Sequence, residues 1–198
     1  MSGNSAKNDG GGIAFIFSTN ISANLNNVTI THNTADSDVN GDGDGGGISS
    51  SGNTEVQNSI IAGNFDKSDT TGHGIIYPDC AGIFSSFGYN LIGTNQGCFG
   101  FTNGVSGDIV GSAANPIDAR LGVLAKNGGA TLNHLPLPGS PAMNAGNPLP
   151  PGSGGLACAG IDQRNVARPQ GAACDIGAVE YRLGDGPFVY LPVILRLG

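Results

Sequence analysis

A motif that recurs at a constant step constrains the fold more than any other feature of the chain. The motif at residues 27–36 (NVTITHNTAD) returns at residues 58–66 (NSIIAGNFD), so that Asn33 corresponds to Asn64. A weaker copy, SGNSA, begins at the second residue of the chain. Self-similarity at a period of about 20–50 residues is typical of proteins built from stacked repeats. We therefore predict that consecutive copies pack side by side.

Each copy of the motif is followed by a glycine-rich run that ends in isoleucine. The runs lie at residues 10–13 and 45–48 and, in a degraded form, at residues 72–75. The distance from the motif asparagine to the run is 6, then 12, then 8 residues. Insertions therefore leave the repeats at one corner. Insertions confined to one face of a solenoid often mark its binding face.

The apolar residues within each repeat indicate strands. They come in short runs or alternate, as in Ile13, Phe15 and Phe17, and alternation at a period of two places side chains on one face of a strand. No window has the spacing of three and four that an amphipathic helix needs. An all-β parallel solenoid with one coil per repeat fits this pattern. Asn33 and Asn64 would then stack at one corner and form a structural ladder of side-chain hydrogen bonds.

The composition limits the classes of function. At 198 residues a single domain is expected, and 35 Gly and 20 Asn beside only 2 Glu and 3 Lys are typical of a turn-rich β protein. The net charge of −7 argues against nucleic acid as a partner, because phosphate binding needs clustered Lys and Arg. No apolar window of about 20 residues is present, so no membrane-spanning segment is expected. We also expect a monomer.

The longest corner insertion, at residues 36–44 (DSDVNGDGD), resembles the first part of a calcium loop. It places side-chain oxygens at positions 1, 3, 5 and 9, a glycine at position 6, and a backbone carbonyl at position 7. The ligating residues would be Asp36, Asp38, Asn40, Asp42 and Asp44. Position 12 is Gly47, where such loops carry a bidentate Glu, so we predict a weak site in the millimolar range. Calcium is the only cofactor expected, and a solvated acidic turn is the alternative.

Four cysteines allow three pairings, and none has the C-x-x-C spacing of a zinc or redox site. Short separations favour Cys80 with Cys98 and Cys158 with Cys174. Disulfides form in oxidising compartments, so we expect the protein to leave the cytosol.

Five charged residues near the C-terminal end form the densest charged group of the chain. They are Asp162, Arg164, Arg168, Asp175 and Glu180. We interpret them as structural ion pairs around a disulfide-closed cap and predict no catalytic residue. The three histidines, His32, His73 and His134, share no spacing; His32 takes the slot of Gly63 in the next repeat, which predicts an exposed turn residue.

Four segments of the C-terminal half carry a family likeness: residues 79–98 (DC…GYNLIG…GC), 127–132 (NGGATL), 138–142 (PGSPA) and 162–181 (DQR…RPQ…CDIGAVEY). In order and spacing they resemble the C-terminal region of choice-of-anchor Q domain proteins. The repeats are similar to those of right-handed parallel β-helix proteins, including polymorphic outer-membrane proteins. The family's usual AIDAG is here AMNAG, with Asn144 in place of the acid. The resemblance implies a secreted or surface-displayed right-handed parallel β-helix with an irregular, Pro/Gly-rich and disulfide-stapled C-terminal region.

The sequence predicts three parts. Residues 1–100 form β-helix coils, residues 101–183 continue the β-helix and wrap around or cap it, and residues 184–198 form a short apolar tail. A repeat remnant follows Met1 directly, so we expect the chain to be part of something longer or to have its true start upstream. The nine apolar residues at 188–196 are too few to span a bilayer and fit either an edge strand or a sorting tail.

Three functions are consistent with such a chain. The first is a non-catalytic extracellular or cell-surface module whose loop face contacts glycans or surface proteins. The second is a fragment of a polysaccharide lyase or glycoside hydrolase, which would need convergent carboxylates. The third is a passive surface stalk. Exposed aromatic residues on one face would favour sugar binding, but the few aromatic residues of this chain are predicted to be buried.

Overall fold

The protein is all-β and has no helix in residues 1–16, 22–68 and 76–185, which are the residues described by this computed structural model. The strands are β1 (Ile13–Phe15), β2 (Ser22–Asn26), β3 (Thr29–Ile30), β4 (Thr34–Ala35), β5 (Ile48–Gln57), β6 (Ile60–Ile61), β7 (Phe65–Asp66), β8 (Cys80–Gly88), β9 (Leu91–Ile92), β10 (Cys98–Phe99) and β11 (Ile109–Val110).

The strands pair in parallel, and the register is set by the sequence repeat. Thr29 pairs with Ile60, and Thr34 pairs with Phe65, so strand partners are separated by the same step as the repeated motifs. Three sheets result, with the orders β1-β5-β8-β10 (β2 also on β5), β11-β9-β6-β3 and β4-β7. The prediction of an all-β chain with parallel strands is confirmed.

The third glycine run is not where the sequence suggested. Residues 72–75 lie outside the described residues, and the stretch in register with residues 45–48 is 77–80. The Gly46 amide donates to Tyr77 O, and Ile48 pairs with Cys80. The register requires glycine at Gly47, because a Cβ there would lie 2.4 Å from the carbonyl oxygen of Asp79. In the last repeat the run has become YPDC, which periodicity alone could not locate.

Residues at the corners of the repeat adopt the left-handed backbone conformation, with positive φ. Asn27, Asn58 and Tyr89 occupy equivalent positions in successive repeats and have φ values of 54°, 49° and 56°. His32 and Gly63 share a second corner with φ values of 54° and 70°. Asn and Gly tolerate this region best, which explains why they recur at these positions.

Both faces of the sheet β11-β9-β6-β3 are buried. Successive residues of a strand point to opposite faces. Ile61 and Ile92 lie in the central core with the other sheets, whereas Ile60 and Leu91 lie in a second core. This second core is closed by the C-terminal region, through Ala119, Ala142 and Ile176.

The C-terminal region therefore wraps over the outer face of one sheet. Between β11 and residue 185, where the described chain ends, it forms only isolated antiparallel bridges, such as Leu121 with Pro136 and Ile161 with Ala167. Prolines and the missing ladder donors explain this behaviour. The apolar tail at residues 188–196 lies outside the described residues.

Two disulfides have the pairing favoured by the cysteine spacing. Cys80 is bonded to Cys98, and Cys158 is bonded to Cys174. The first joins β8 to its neighbour β10 inside the central core, and the second closes a loop of the C-terminal region.

Candidate functional site

Equivalent asparagine side chains form a continuous hydrogen-bonded ladder along the repeats. Asn4 Nδ2 donates to Asn33 Oδ1 at 2.8 Å, and Asn33 Nδ2 donates to Asn64 Oδ1 at 3.0 Å. Asn64 Nδ2 then donates to Asp79 Oδ1 at 3.0 Å. Asn33 and Asn64 are buried, so the ladder holds adjacent repeats in register and offers no surface to a ligand.

The acidic loop at residues 36–44 turns its first carboxylate inward. Asp36 is fully buried, and its two oxygens accept the backbone amides of Asn40 and Gly41, each at 2.9 Å. Burial opposes ionisation of Asp36, but these hydrogen bonds outweigh it and lower its pKa. Asp36 thus closes its own loop, as an acceptor for backbone donors.

The other members of the loop point elsewhere. Asp38, Asn40 and Asp42 are exposed, and the Asp44 amide donates to the Asp9 carboxylate at 2.8 Å. Burial raises the pKa of Asp44, and nearby carboxylates add to the effect. Within the described parts of the chain, no three acidic, histidine or cysteine side chains are grouped so that they could hold a metal ion.

The first ligand that the sequence predicts, Asp36, thus accepts hydrogen bonds from backbone amides of its own loop. Calcium binding stays a prediction from the sequence. Calorimetry distinguishes a weak calcium site from a solvated acidic turn. Binding heat at millimolar calcium that is lost in Asp38→Ala would support the calcium site, and the absence of heat would support the acidic turn.

The corner insertions meet one another, as their position in the repeat predicts. The Gly10 amide donates to Asp44 O at 2.9 Å, and Ser68 Oγ donates to Gly43 O at 3.0 Å. The described parts of the three insertions thus lie together on one corner.

The five charged residues of the C-terminal region do come together, and they are buried. Arg164 Nε lies 3.0 Å from Asp162 Oδ2, and Arg168 Nη1 lies 2.9 Å from Glu180 Oε2. The side chains of both pairs are at most 1% exposed. Glu180 also accepts the backbone amide of Asp175 at 2.9 Å. The side chains of these two ion pairs are thus shielded from solvent.

This ionic network ties the C-terminal region to itself and to the repeats. Arg168 Nη2 donates to Gly177 O at 2.7 Å, and the Gly177 amide donates to Asn58 O at 2.7 Å. Asp175 accepts the amides of Asn144 and Tyr181, and burial raises its pKa to about 6. The bond from Gly177 to Asn58 thus links this network to the repeats.

Two histidines far apart in sequence stack on each other. The rings of His32 and His134 lie 5.4 Å apart and are nearly parallel. His134 Nδ1 contacts the Gly122 carbonyl at 2.6 Å, so Nδ1 carries the proton, and Nε2 accepts from the Ser2 hydroxyl at 2.8 Å. Burial lowers the pKa of His134, which favours this neutral form.

The histidine pair was not predicted, because its partners belong to different segments without a common spacing. His32 is exposed, as its exchange with Gly63 indicated. His73 lies outside the described residues. His134 also lines a cavity of about 250 Å³, together with Leu124 and Leu132 among others.

The expectation that the aromatic residues are buried was wrong for three phenylalanines. Phe65, Phe87 and Phe99 are 52%, 39% and 64% exposed. Phe99 of β10 pairs directly with Ile83 of β8, which is 72% exposed. Their alternation with inward residues such as Cys98 places both on the outer face of the first sheet.

Ile16 follows β1 directly, on the far side of β5. Phe15 pairs with Ser50, and Ser50 with Gly82, but the register between β5 and β8 shifts after this pair, so strand pairing does not align Ile16 with Ile83. Ile16 is 88% exposed. The apolar row is therefore defined as Ile83 and Phe99, and the sequence pattern does not show it because it depends on the pairing of β8 with β10.

Comparison with protein-family models, characterised proteins and solved structures finds no match for this chain. In the described parts of the chain, no helix is long and apolar enough to cross a membrane.

Proposed function

We propose that the chain is a non-catalytic, right-handed parallel β-helix module of a secreted or cell-surface protein, which binds a glycan or a surface protein. Parallel strands whose partners keep the constant step of the sequence repeat support the β-helix. Two disulfides support a compartment outside the cytosol. The resemblance to choice-of-anchor Q domain proteins is part of the same proposal.

The observation that carries the binding role is the apolar row on the first sheet. Monomeric proteins expose single apolar side chains freely, but adjacent exposed ones often mark a binding surface. Ile83 and Phe99 are adjacent by strand pairing and both are more than half exposed. A flat phenyl ring suits stacking on the apolar face of a sugar or on a partner's apolar side chain.

The burial of the charged network supports a role without catalysis. A glycosidase needs two carboxyl groups with room for the scissile bond between them. Asp162 and Glu180 are fully engaged by arginines and backbone amides, and both side chains are at most 1% exposed.

A glycan array run beside a lyase and hydrolase screen on acidic polysaccharides, with calcium present, tests the proposal. We expect binding without turnover, and we expect Phe99→Ser to weaken it about tenfold, since an aromatic contact contributes up to about 1.5 kcal/mol. Phe65→Ser is the matched control, because Phe65 is exposed on a different sheet. Turnover would indicate an enzyme, and neither binding nor turnover would indicate a passive stalk.

A further inference from the structure

A serine hydroxyl, a histidine ring and a backbone carbonyl form one hydrogen-bonded chain of groups beside the cavity of about 250 Å³. Ser2 Oγ lies 2.8 Å from His134 Nε2, and His134 Nδ1 lies 2.6 Å from Gly122 O. Because a carbonyl oxygen only accepts hydrogen bonds, the ring proton is on Nδ1, and Nε2 can accept the proton of Ser2. A nucleophile, its general base and the group that orients the base have this arrangement.

The backbone of Ser2 is held by the first full repeat. Ser2 forms a parallel bridge with Thr31. The amide of the following residue, Gly3, donates to His32 O at 3.1 Å. Ser2 is only partly buried and lines the cavity together with His134. Its hydroxyl is therefore positioned between the histidine ring and an open space.

The His134 ring is fixed in its orientation and in its charge state. It bonds to Gly122 and stacks on His32 with an angle of 10° between the rings. Burial lowers the pKa of His134, and the charged groups that face it, His32 and the N-terminal ammonium of Met1, lower it further. The neutral, proton-accepting form therefore predominates at pH 7.

The cavity has room for a short acyl chain. Leu124 and Leu132 line it and are 43% and 47% exposed, so they offer apolar surface to a ligand. Its volume of about 250 Å³ lies just below the range of about 300–1,000 Å³ that is usual for pockets that bind drug-sized ligands. A small, mainly apolar group fits such a space.

Two side-chain amides of the described chain line the cavity, and both already donate elsewhere. Asn133 Nδ2 donates to Gly128 O and Thr131 O, at 3.1 and 3.4 Å. Gln163 Nε2 donates to Thr131 Oγ1 and Leu132 O, at 2.8 and 3.1 Å. Neither amide is free to stabilise an oxyanion, and one such donor contributes about 100–1,000-fold in rate. Attack by Ser2 therefore needs an acyl donor with a good leaving group, and hydrolysis of the resulting ester is slow.

We propose that Ser2 is a nucleophile, activated by His134, that takes up one acyl group from an activated ester or thioester. Ser2 Oγ forms a bond to the acyl carbon while its proton passes to His134 Nε2. The bond from that carbon to the leaving oxygen or sulfur then breaks, and the leaving group takes the proton from Nε2. The products are an ester of Ser2 and a free alcohol or thiol. This is a covalent modification without turnover, and it uses residues outside the apolar row.

The activated ester p-nitrophenyl butyrate tests the proposal on the full chain. We expect one p-nitrophenol to be released per chain, and mass spectrometry should place one butyryl group on Ser2, as an ester that hydroxylamine removes. Ser2→Ala should abolish this product. His134→Gln should slow its formation about 100-fold, since a general base contributes about 10²–10⁴-fold. Ser5→Ala is the matched control, because Ser5 is exposed in the same segment, and it should leave the reaction at Ser2 unchanged.

Wild-type protein in concentrated urea guards against a variant that fails to fold. Unfolding separates Ser2 from His134, so we expect Ser2 to lose its reactivity. Butyrylation of Ser2 no faster than that of Ser5, or a hydroxylamine-resistant amide on Met1 as the sole product, would overturn the proposal. Release of many p-nitrophenol molecules per chain that Ser2→Ala abolishes would also overturn it, because the site would then be an enzyme.

Discussion

Replacing Asn64 by alanine should destabilise the protein strongly, because this side chain is the centre of the asparagine ladder. Its Oδ1 accepts the backbone and side-chain amides of Asn33, at 3.1 and 3.0 Å. Its Nδ2 donates to Ile30 O at 3.1 Å and to Asp79 Oδ1 at 3.0 Å. All four bonds are buried, and Asn64→Ala removes all of them.

The size of the stability loss depends on whether each hydrogen-bond partner of Asn64 finds another partner in the variant. A hydrogen bond contributes about 1 kcal/mol net, and a buried donor left without a partner costs about 1–3 kcal/mol. The Asn33 backbone amide loses its acceptor, whereas Ile30 O retains the amide of Ala62 at 3.2 Å. We therefore expect a loss of about 3–6 kcal/mol in the free energy of unfolding, against a total of about 5–15 kcal/mol for a typical domain.

Urea unfolding followed by circular dichroism measures this loss. Asn24→Ala is the matched control, because Asn24 is exposed and its side chain has a single described bond, to Glu55 at 3.1 Å. We expect the control to change the free energy by no more than about 0.5 kcal/mol. Asn33→Ala combined with Asn64→Ala should cost less than the sum of the single changes, because both remove the bond between the two side chains. If Asn64→Ala stayed within about 1 kcal/mol of Asn24→Ala, the ladder argument would be refuted.

Three further predictions concern pH, glycine and a disulfide. Burial raises the pKa of Asp79 to about 6 from 3.8, so the native state binds this proton more tightly, and the urea midpoint should rise as pH falls from about 7.5 to 5. Gly47→Ala should prevent folding or shift the circular dichroism spectrum, whereas Gly160→Ala, with its nearest neighbour at 3.5 Å, should not. Changing both Cys158 and Cys174 to serine should lower the free energy of unfolding by about 3 kcal/mol, measured by urea titration.

The sequence repeat predicted the register of the sheets because equivalent residues of successive repeats pair with each other. The distance between them in sequence is therefore also the offset between paired strand residues. Asn33 and Asn64 were found for that reason, since equivalent positions must face each other. The cysteine pairing could also be predicted from the sequence, because the two members of each pair are close together in the chain. Periodicity thus predicts contacts between equivalent positions.

Contacts between unlike segments could not be predicted in this way. Ile60 and Ile61 are both buried, and nothing in their two-residue run shows that the C-terminal region covers one of them. His134 stacks on His32 although the two lie in opposite halves of the chain. The inward turn of Asp36 was missed because the calcium pattern counts oxygens without considering the backbone amides that compete for them.

The way in which each side-chain ladder ends gives two of the buried acids, Asp79 and Asp108, a structural explanation. An amide side chain both donates and accepts, so Asn33 and Asn64 pass the hydrogen bond from one repeat to the next. A carboxylate only accepts hydrogen bonds. Asp79 Oδ1 accepts the hydrogen bond from Asn64 Nδ2, and Asp79 Oδ2 accepts the backbone amide of Thr94 at 2.8 Å.

A second ladder ends in the same manner. Asn90 Oδ1 accepts the Ser59 amide at 3.1 Å, and Asn90 Nδ2 donates to Asp108 Oδ1 at 3.1 Å. Asp108 Oδ2 accepts the Ser86 hydroxyl at 2.6 Å. Burial raises the pKa of both terminal acids, Asp79 and Asp108. A raised carboxyl pKa often marks a catalytic acid, but here it follows from placing an acceptor-only side chain where a buried ladder must stop. An aspartate that follows the last asparagine of a repeat series is therefore a sequence signal for the end of a ladder.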